Sequence, residues 1–331
     1  MNKKIFCLIL PLALLVSITV SQAFAAEAVI QLGYTGQAND NNYSNQFGTR
    51  LAKNIEAATN GRLKIQPLPG GQLGGERDMI EGMQLGTVDM AIINNSSVSN
   101  FFPPYLVYDL PYLYKDAETA FKVLDSDLAK RLSDETFAKH GVKILAQGSG
   151  GFRQIINNLR PVREPKDLRN MKFRVPEAPI SLAAFKALGT NSAILAWPEV
   201  TTAIQQKTID GLELTSAMVY SNGIHEMISY LSMTNHFFNP IDLIISKSAW
   251  DNLAPDLQAT LQKTAQETAV EQRAFATEYE ASLRKLIIDA GVKINDDVNI
   301  AAFQELCIPV WEVFRAQIGG DVLDEVLELT K

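Results

Sequence analysis

Histidine and cysteine are scarce in this 331-residue chain, which has three histidines and two cysteines. Zinc and related metals are held by clusters of those residues, so a His- or Cys-rich metal site is nearly excluded. We expect neither a metal nor a cofactor. Lys and Arg number 30 against 37 Asp and Glu. This acidic balance disfavours a nucleic-acid partner, which needs clustered positive charge.

Common catalytic motifs are also missing. The sequence has no Gly-x-Ser-x-Gly elbow, no phosphate-loop lysine motif and no His-Glu-x-x-His zinc motif. No nucleophile–base pair is visible, so the pattern does not favour an enzyme. The polar residues around Asp296-Asp297 indicate a solvated loop. The apolar residues on both sides of Cys307 indicate that its side chain is buried.

Residues 1–25 have the pattern of a cleaved signal peptide. Lys3 and Lys4 precede an apolar run of about 16 residues, and Ala23-Phe24-Ala25 supplies the small-x-small cleavage signal. The run is shorter than the ~20 residues of a membrane span. We therefore expect an exported protein of the periplasm. Its mature form has 28 basic residues against 37 acidic ones and one cysteine, so no internal disulfide can form.

Short apolar strands alternate with amphipathic helices along the rest of the chain, which predicts an α/β fold. Strands are expected at 29–34, 63–66, 88–93, 142–146, 172–175, 212–214 and 241–246. Helices are expected at about 43–59, 76–85, 117–139, 180–188 and 199–206. The length favours two lobes rather than one.

A long segment after Pro255 has no Pro or Gly from Asp256 to Ala290. Its apolar residues recur at three- and four-residue steps, which predicts a helix of about 50 Å. A coiled coil is the competing interpretation, but the apolar stripe is rich in alanine and irregular. We expect a helix that spans both lobes, with a ligand cleft between them.

Two arginines follow or end predicted strands. Arg153 comes after a glycine-rich run, and Arg174 lies between Phe173 and Val175. A guanidinium at a cleft would suit a carboxylate, because its planar fork donates two parallel hydrogen bonds. From spacing alone, an arginine such as Arg174 more often forms a surface salt bridge than a ligand contact. Similarly, a tryptophan such as Trp197 beside Pro198 is more often a core residue than a ligand contact.

Several motifs in order resemble the solute-binding subunits of TRAP (tripartite ATP-independent periplasmic) transporters, the DctP-type family. In the second half these are Gly-Phe-Arg at 151–153, Pro-Lys-Asp-Leu-Arg-Asn-Met-Lys-Phe-Arg-Val-Pro at 165–176, Trp-Pro-Glu-Val at 197–200 and Ile-Asp-Gly-Leu-Glu at 209–213. In the rest of the chain they are residues 71–77, 86–90, 109–112 and 234–236. The resemblance covers essentially the whole mature chain.

This resemblance implies a two-lobed periplasmic binding protein with a hinge. It closes on an organic acid and delivers it to the small and large membrane subunits of a sodium-coupled permease. Arg174 matches the family's carboxylate-clamping arginine, and Arg153 matches a second cleft arginine. Trp197 matches an aromatic ligand contact. The remaining matched cleft positions are Glu76, Asn94, Thr35 and Asn239.

Leu214 departs from the family, because many sugar-acid and sialic-acid binders have Asn there. The resemblance therefore implies a more apolar pocket and argues against transferring those specificities. A short hydroxy- or keto-acid, a dicarboxylate and an aromatic acid remain open as ligands. The lobes are expected at 26–150 plus about 239–278, and at 151–238 plus about 279–331. We expect a monomer, although the long helix could support a dimer.

Three other classes of function remain as alternatives. The first is the binding protein of an ATP-driven importer, which shares the two-lobed design and export. The second is an exported hydrolase, and the third is a structural or adhesive module. Two membrane-subunit genes and no ATPase gene beside this one would favour the TRAP interpretation.

Overall fold

The computed structural model describes residues 27–331, so the predicted signal peptide lies outside the described residues. The chain alternates between strands and helices, as the sequence pattern predicts. The nine strands of this part of the chain are β1 (Ala28–Gly33), β2 (Leu63–Leu68), β3 (Met90–Asn94), β4 (Val142–Asn157), β5 (Lys172–Val175), β6 (Asn191–Ile194), β7 (Gly211–Thr215), β8 (Tyr230–Ser246) and β9 (Lys293–Asn295).

The helices are mostly short and amphipathic, with one long exception. Those in residues 27–331 are α1 (Tyr43–Ala58), α2 (Glu76–Leu85), α3 (Asn95–Phe101), α4 (Ala117–Leu124), α5 (Asp127–His140), α6 (Pro179–Ala187), α7 (Trp197–Gln205), α8 (Ser216–Ser221), α9 (Lys247–Asp251), α10 (Pro255–Asp289), α11 (Ile300–Cys307), α12 (Val310–Ile318) and α13 (Gly320–Leu329). Short 3₁₀ helices cover Pro103–Asp109, Pro165–Leu168 and Ile224–Glu226.

Two long strands join the lobes. The sheet order is β2-β1-β3-β8-β4-β7-β5-β6, with β9 paired to β8. The fold is two-lobed: β1 to β3 lie at one end of this path and β5 to β7 at the other, while β4 and β8 pair with each other and reach into both. Because the lobes share continuous strands, a bend in β4 and β8 can change the angle between them.

The long strands are irregular where they approach the cleft. The pairing of β4 with β8 shifts register between Ser149 and Phe152 and again between Arg153 and Ile155. Gly151 adopts φ +87°, a backbone conformation that glycine tolerates and other residues rarely adopt. Such bulges bend a strand and redirect its side chains. Here the irregularity lies beside Arg153.

Helix α10 has 35 residues and is anchored to β4 by buried polar contacts. Gln272 accepts a hydrogen bond from Ser149 N and donates one to Ser149 O, both at 2.8 Å. Arg273 donates to Gln147 O at 2.9 Å and pairs with Asp125 at 2.6 Å. The predicted helix at 256–290 is thus confirmed within one residue.

Some predicted boundaries were wrong. The single helix expected at 117–139 is two helices, because α4 ends at Leu124 and Ser126 caps α5 by accepting a hydrogen bond from Ala129 N. The strands expected at 142–146 and 241–246 are the ends of longer strands, and β3 begins at Met90 rather than Val88. Cys307 is buried and free, as predicted.

The C-terminal helix α13 packs against α4 and α5. Arg131 Nη2 on α5 donates to Glu325 Oε2 on α13 at 2.7 Å. Within residues 27–331, no helix combines the length and the apolar character needed to cross a membrane.

Candidate ligand-binding site

A buried ion pair links β4 to β7. Arg153 Nε donates to Glu213 Oε2, and Arg153 Nη2 donates to the Glu213 carbonyl at 3.2 Å. The two residues are only 7% and 0% exposed. Burial raises the pKa of the Glu213 carboxyl, but the adjacent guanidinium outweighs it and holds that pKa below its usual value. The charge of Arg153 is therefore already neutralised within the protein.

A hydrogen-bonded chain continues from this pair to the first lobe. Arg153 Nη1 donates to Asn239 Oδ1 at 2.7 Å, and Asn239 Nδ2 donates to Asn94 Oδ1 at 3.0 Å. Tyr43 OH donates to the same Asn94 oxygen at 3.3 Å. The amide of Asn94 donates in turn to Glu76. Side chains from α2, β3, β8 and β4 are thus connected in one network.

Glu76 lies at the first-lobe end of the network, at the start of α2. Besides Asn94, its carboxylate accepts a hydrogen bond from Ser97 Oγ at 2.5 Å. Burial raises the pKa of the Glu76 carboxyl, and these hydrogen bonds partly oppose the rise. No Lys, Arg or His nitrogen in residues 27–331 lies within 4 Å of it.

Two further side chains surround Glu213 on the second-lobe side. Ser181 Oγ donates to Glu213 Oε1 at 3.3 Å, and His236 Nε2 lies 3.8 Å from Glu213 Oε2. His236 Nδ1 contacts Thr234 Oγ1 at 2.8 Å. Burial lowers the pKa of His236, so its ring is neutral at pH 7.

A small cavity opens between the lobes at this network. It is lined by Ser96, Asp109, Arg153, Pro176, Ala178, Ser181, Glu213, Phe237, Phe238 and Asn239. Burial raises the pKa of Asp109 to about 6, although Ser99 Oγ donates to its carboxylate at 2.7 Å.

Arg174 differs from Arg153 because no carboxylate among the described residues pairs with its charge. It is 3% exposed, and both Nε and Nη2 donate to the Leu195 carbonyl, at 3.1 and 2.8 Å. No Asp or Glu oxygen in residues 27–331 lies within 4 Å of its guanidinium. Burial, and then the like charge of Arg153, lower the pKa of Arg174 to about 10.

The two arginines lie on opposite faces of the sheet. Arg174 pairs in register with Leu212, and Glu213 is the next residue on that strand. Side chains alternate along a strand, so Arg174 shares the Leu212 face while Arg153 shares the Glu213 face. The charges of Glu213 and Glu76 nevertheless act on Arg174 and favour its charged form.

Besides Arg174, three predicted residues lie outside the hydrogen-bonded network. Leu214 is 0% exposed and packs in the hydrophobic core, so the structure does not support its predicted effect on pocket polarity. Because side chains alternate along a strand, Glu213 faces the cavity and Leu214 does not. Trp197 is half-buried against the same core. Thr35 is half-buried in the loop after β1.

Sequence reasoning missed Glu213, Ser181 and Asp109. A usable signal existed for Glu213, which is an acid between two leucines in a strand that reads as buried. A buried carboxylate requires a cationic partner, and Arg153 was available. Ser181 and Asp109 had no comparable signal, because their positions depend on how α6 and the 3₁₀ helix Pro103–Asp109 pack.

A cavity between two lobes, lined by buried polar side chains, is the arrangement of a ligand-binding protein. The model of the bacterial extracellular solute-binding proteins of family 7, DctP, matches residues 33–317. The chain belongs to this family, whose members bind solutes for transport and are not enzymes. This membership confirms the resemblance to TRAP binding proteins and does not favour an ATP-driven importer.

The names of individual relatives are consistent with this family. The 2,3-diketo-L-gulonate-binding periplasmic protein of Escherichia coli is 32% identical over 278 residues, or 83% of this chain and 84% of that protein. A C4-dicarboxylate-binding periplasmic protein of Rhodobacter capsulatus is 28% identical, over 83% of each chain. A TRAP periplasmic solute-binding protein of Polaromonas, bound to D-erythronate, superposes with a TM-score of 0.86 at 29% identity, covering 90% of this chain and 98% of that one.

Proposed function

We propose that this protein captures an organic acid by closure of its two lobes and delivers it to a sodium-coupled TRAP permease. The observation that carries the proposal is Arg174, a guanidinium that is 3% exposed and has no carboxylate partner within the described protein. A buried unpaired charge is costly, and a ligand carboxylate would neutralise it. This cost is a physical reason for the predicted role of Arg174 in holding the ligand carboxylate.

Arg174 keeps unused hydrogen-bond donors for such a ligand. A guanidinium has five N–H donors, and Leu195 O takes up two of them. The remaining donors include the pair on Nη1, which can hold a carboxylate oxygen while Leu195 fixes the plane of the fork. Arg153 has a different role in this proposal, because Glu213 already neutralises it. It positions Asn239 rather than supplying the charge for the ligand.

The ligands of three relatives support an acid. The names or titles of these proteins specify 2,3-diketo-L-gulonate, C4-dicarboxylates and D-erythronate, each of which carries a carboxylate. We propose that the ligand of this chain binds in the cleft, between Arg174 on the second lobe and the Glu76–Asn94 pair on the first.

Lobe closure is supported by a contact that crosses the cleft. Asn100 Nδ2 on α3 of the first lobe donates to the Glu177 carbonyl beyond β5 of the second. This contact forms only when the lobes are close together. A ligand shifts the equilibrium toward closure when it contacts both lobes in the closed form better than in the open form.

The remaining features of the proposal concern location and organisation. We propose a periplasmic monomer, exported through residues 1–25 and docking on the two TRAP membrane subunits. The first lobe would comprise 26–150, about 239–278 and α13, because α13 packs on α4 and α5. The second lobe would comprise 151–238 and about 279–319.

A thermal-shift and calorimetry screen tests this function. The mature protein is compared with Arg174→Ala and with Arg169→Ala, a control at an exposed arginine of the same lobe. The probes are organic acids, each paired with its uncharged amide. Loss of the charge-assisted pair should cost Arg174→Ala about 2–5 kcal/mol of binding, or roughly 30-fold to several-thousand-fold in affinity.

Each result of the screen has a definite meaning. Acids that stabilise the parent and Arg169→Ala but not Arg174→Ala support the proposal. Acids and amides that bind equally well, or an Arg174→Ala protein that binds as tightly as the parent, contradict it.

A further inference from the structure

We infer that Asp109 and Ser96 recognise a hydroxyl group of the ligand, so that the site binds a hydroxy acid more tightly than the corresponding keto acid. Both residues belong to the first lobe and line the cavity between the lobes. This inference rests on the proposed function only because it takes the ligand to be an organic acid bound in the cleft. It does not depend on which residue holds the carboxylate of that acid.

Several polar side chains of the cavity lining already have partners within the protein. Arg153 donates to Glu213 through Nε and Nη2, and to Asn239 through Nη1. The one hydroxyl proton of Ser181 goes to Glu213 Oε1 at 3.3 Å. The lining residues of the first lobe are less fully engaged, and they are the ones that can receive a polar group of the ligand.

Asp109 is a carboxylate of this lining without a cationic partner. It ends the 3₁₀ helix Pro103–Asp109, and its Oδ2 accepts a hydrogen bond from Ser99 Oγ at 2.7 Å. No Lys, Arg or His nitrogen in residues 27–331 lies within 4 Å of it. A carboxylate has about four lone-pair positions, so Asp109 can accept a further hydrogen bond from a ligand.

Ser96 supplies a donor beside this acceptor. It lies on α3 three residues before Ser99, so the two hydroxyl groups share one face of the helix. Ser99 donates to Asp109, whereas Ser96 Oγ makes no side-chain hydrogen bond within residues 27–331. The cavity therefore presents a carboxylate acceptor and a free hydroxyl from neighbouring segments of the first lobe.

A ligand hydroxyl is complementary to this pair of groups. It can donate its proton to the Asp109 carboxylate and accept a proton from Ser96 Oγ. A keto oxygen can only accept, so it would face the carboxylate with no proton between them. A methylene group would satisfy neither residue. Sites built to hydrogen-bond a hydroxyl group discriminate strongly against analogues that lack it.

The opposite part of the lining is apolar and closely packed. Phe238 is 3% exposed, and its ring packs edge-on against Tyr114, Phe121 and Phe152, with ring centroids 5.7, 5.9 and 5.2 Å away. Such a ring has little freedom to move aside. The cavity thus offers a small polar contact against a rigid apolar wall, which favours one hydroxyl-bearing carbon over a larger polar group.

Acids that share a four-carbon skeleton test this inference. D-Erythronate is compared with the three dihydroxybutyrates of matched configuration that each lack one of its hydroxyl groups. 2-Hydroxybutyrate is paired with 2-ketobutyrate, and 3-hydroxybutyrate with acetoacetate. Calorimetry on the mature protein at pH 7.5, where Asp109 is ionised because its pKa is about 6, gives the affinities. We expect a hydroxy acid to bind, and removal or oxidation of one particular hydroxyl group to weaken binding about tenfold or more.

Asp109→Asn assigns this preference to its residue. Asn keeps the size and an acceptor oxygen, removes the charge and adds an N–H donor that suits a keto oxygen. The affinity ratio of hydroxy acid to keto acid should fall about tenfold or more. Asp134→Asn, at an exposed aspartate of the same lobe that pairs with Lys143, is the matched control and should keep the parent ratio. Because two ligands are compared on one protein, a partial loss of folded protein leaves the ratio unaffected.

The outcomes separate this inference from the proposed function. If each hydroxyl group of the bound acid can be removed or oxidised without loss of affinity, or if Asp109→Asn keeps the parent ratio, the role of Asp109 is wrong. The proposed function stands in that case, provided that Arg174→Ala loses the acids. If no organic acid binds, the proposed function fails and this inference fails with it.

Discussion

Arg153 on β4 and Glu213 on β7 form an ion pair that is almost completely shielded from water, with exposures of 7% and 0%. The pair lies at the boundary between the lobes and supports both Asn239 and Ser181. It explains why two cleft arginines in one chain are not equivalent. One is neutralised by the fold, and the other is left for a ligand.

Removing one partner of this pair should be strongly destabilising. Glu213→Gln leaves a buried guanidinium without its counter-charge, so we expect a loss of about 3–5 kcal/mol in the free energy of unfolding, measured in urea. Glu312→Gln breaks an exposed ion pair with Arg315 and should leave the free energy unchanged. Equal stability of Glu213→Gln and the parent would show that the pair is not intact in solution.

Asp242 should make stability depend on pH. It is 0% exposed, Gln147 Nε2 donates to its Oδ1 at 2.6 Å, and its Oδ2 has no hydrogen-bond partner in the described protein. Burial raises its pKa to about 8, and the negative charges of Asp109 and Glu76 add to the rise. The folded state thus binds a proton that an unfolded carboxyl releases near pH 4.

The sign of this effect follows from proton binding. Between about pH 4 and pH 8 the folded state holds more protons than the unfolded state, so the contribution of Asp242 to stability falls as pH rises. Asp242→Asn should remove this dependence and be more stable than the parent at pH 8.5 by about 2–5 kcal/mol, with the gap closing toward pH 5. Asp251→Asn, which breaks a surface pair with Lys247, is the control. A gap that does not change with pH would contradict the assignment.

Gln272 should fasten the long helix to the sheet. Its side chain satisfies both the N–H and the C=O of Ser149, each at 2.8 Å. Gln272→Ala leaves two buried backbone groups unpaired, and we expect a loss of about 2–5 kcal/mol in the free energy of unfolding. Gln266→Ala, at an exposed position of α10, should cost nothing. Matching denaturation midpoints for the two variants would rule out this role.

Gly150 leaves space that Asn239 needs. A Cβ at Gly150 would lie 2.3 Å from Asn239 Nδ2 and 3.2 Å from the Asn239 carbonyl. Gly150→Ala should therefore displace Asn239, break its bonds to Arg153 and Asn94, and cost about 1–3 kcal/mol of stability. Ligand affinity should fall with it. Gly320→Ala adds a methyl group at the start of α13, where the nearest atom lies 4.0 Å away, and should be neutral or stabilising. Unchanged ligand affinity in Gly150→Ala would show that Asn239 does not contribute to ligand binding.

The sequence was most informative where local pattern decides the structure. The helix of Pro255–Asp289 follows from spacing and the absence of Gly and Pro, and its observed ends differ by one residue from the predicted ones. The lengths of β4 and β8 did not follow, because Gly148, Gly150 and Gly151 and the Asn239-Pro240 step are typical of loops. In the folded protein these residues lie inside long strands, where Gly150 and Gly151 form a bulge.

The site was harder to predict than the fold. The sequence identified Arg153 and Arg174 but could not show which one is neutralised, since that depends on strand pairing across 60 residues. Leu214 illustrates the same limit. Its position in the motif placed it in the pocket, while alternation along β7 points it into the core and turns Glu213 toward the cavity.

The most direct test of the account is the affinity of Arg174→Lys for the acid that the screen identifies. Lysine keeps the positive charge but loses the planar fork, so the account predicts binding at least tenfold weaker with an apo melting temperature close to that of the parent. If the apo melting temperature collapses while the affinity survives, Arg174 holds the fold together and does not clamp the ligand.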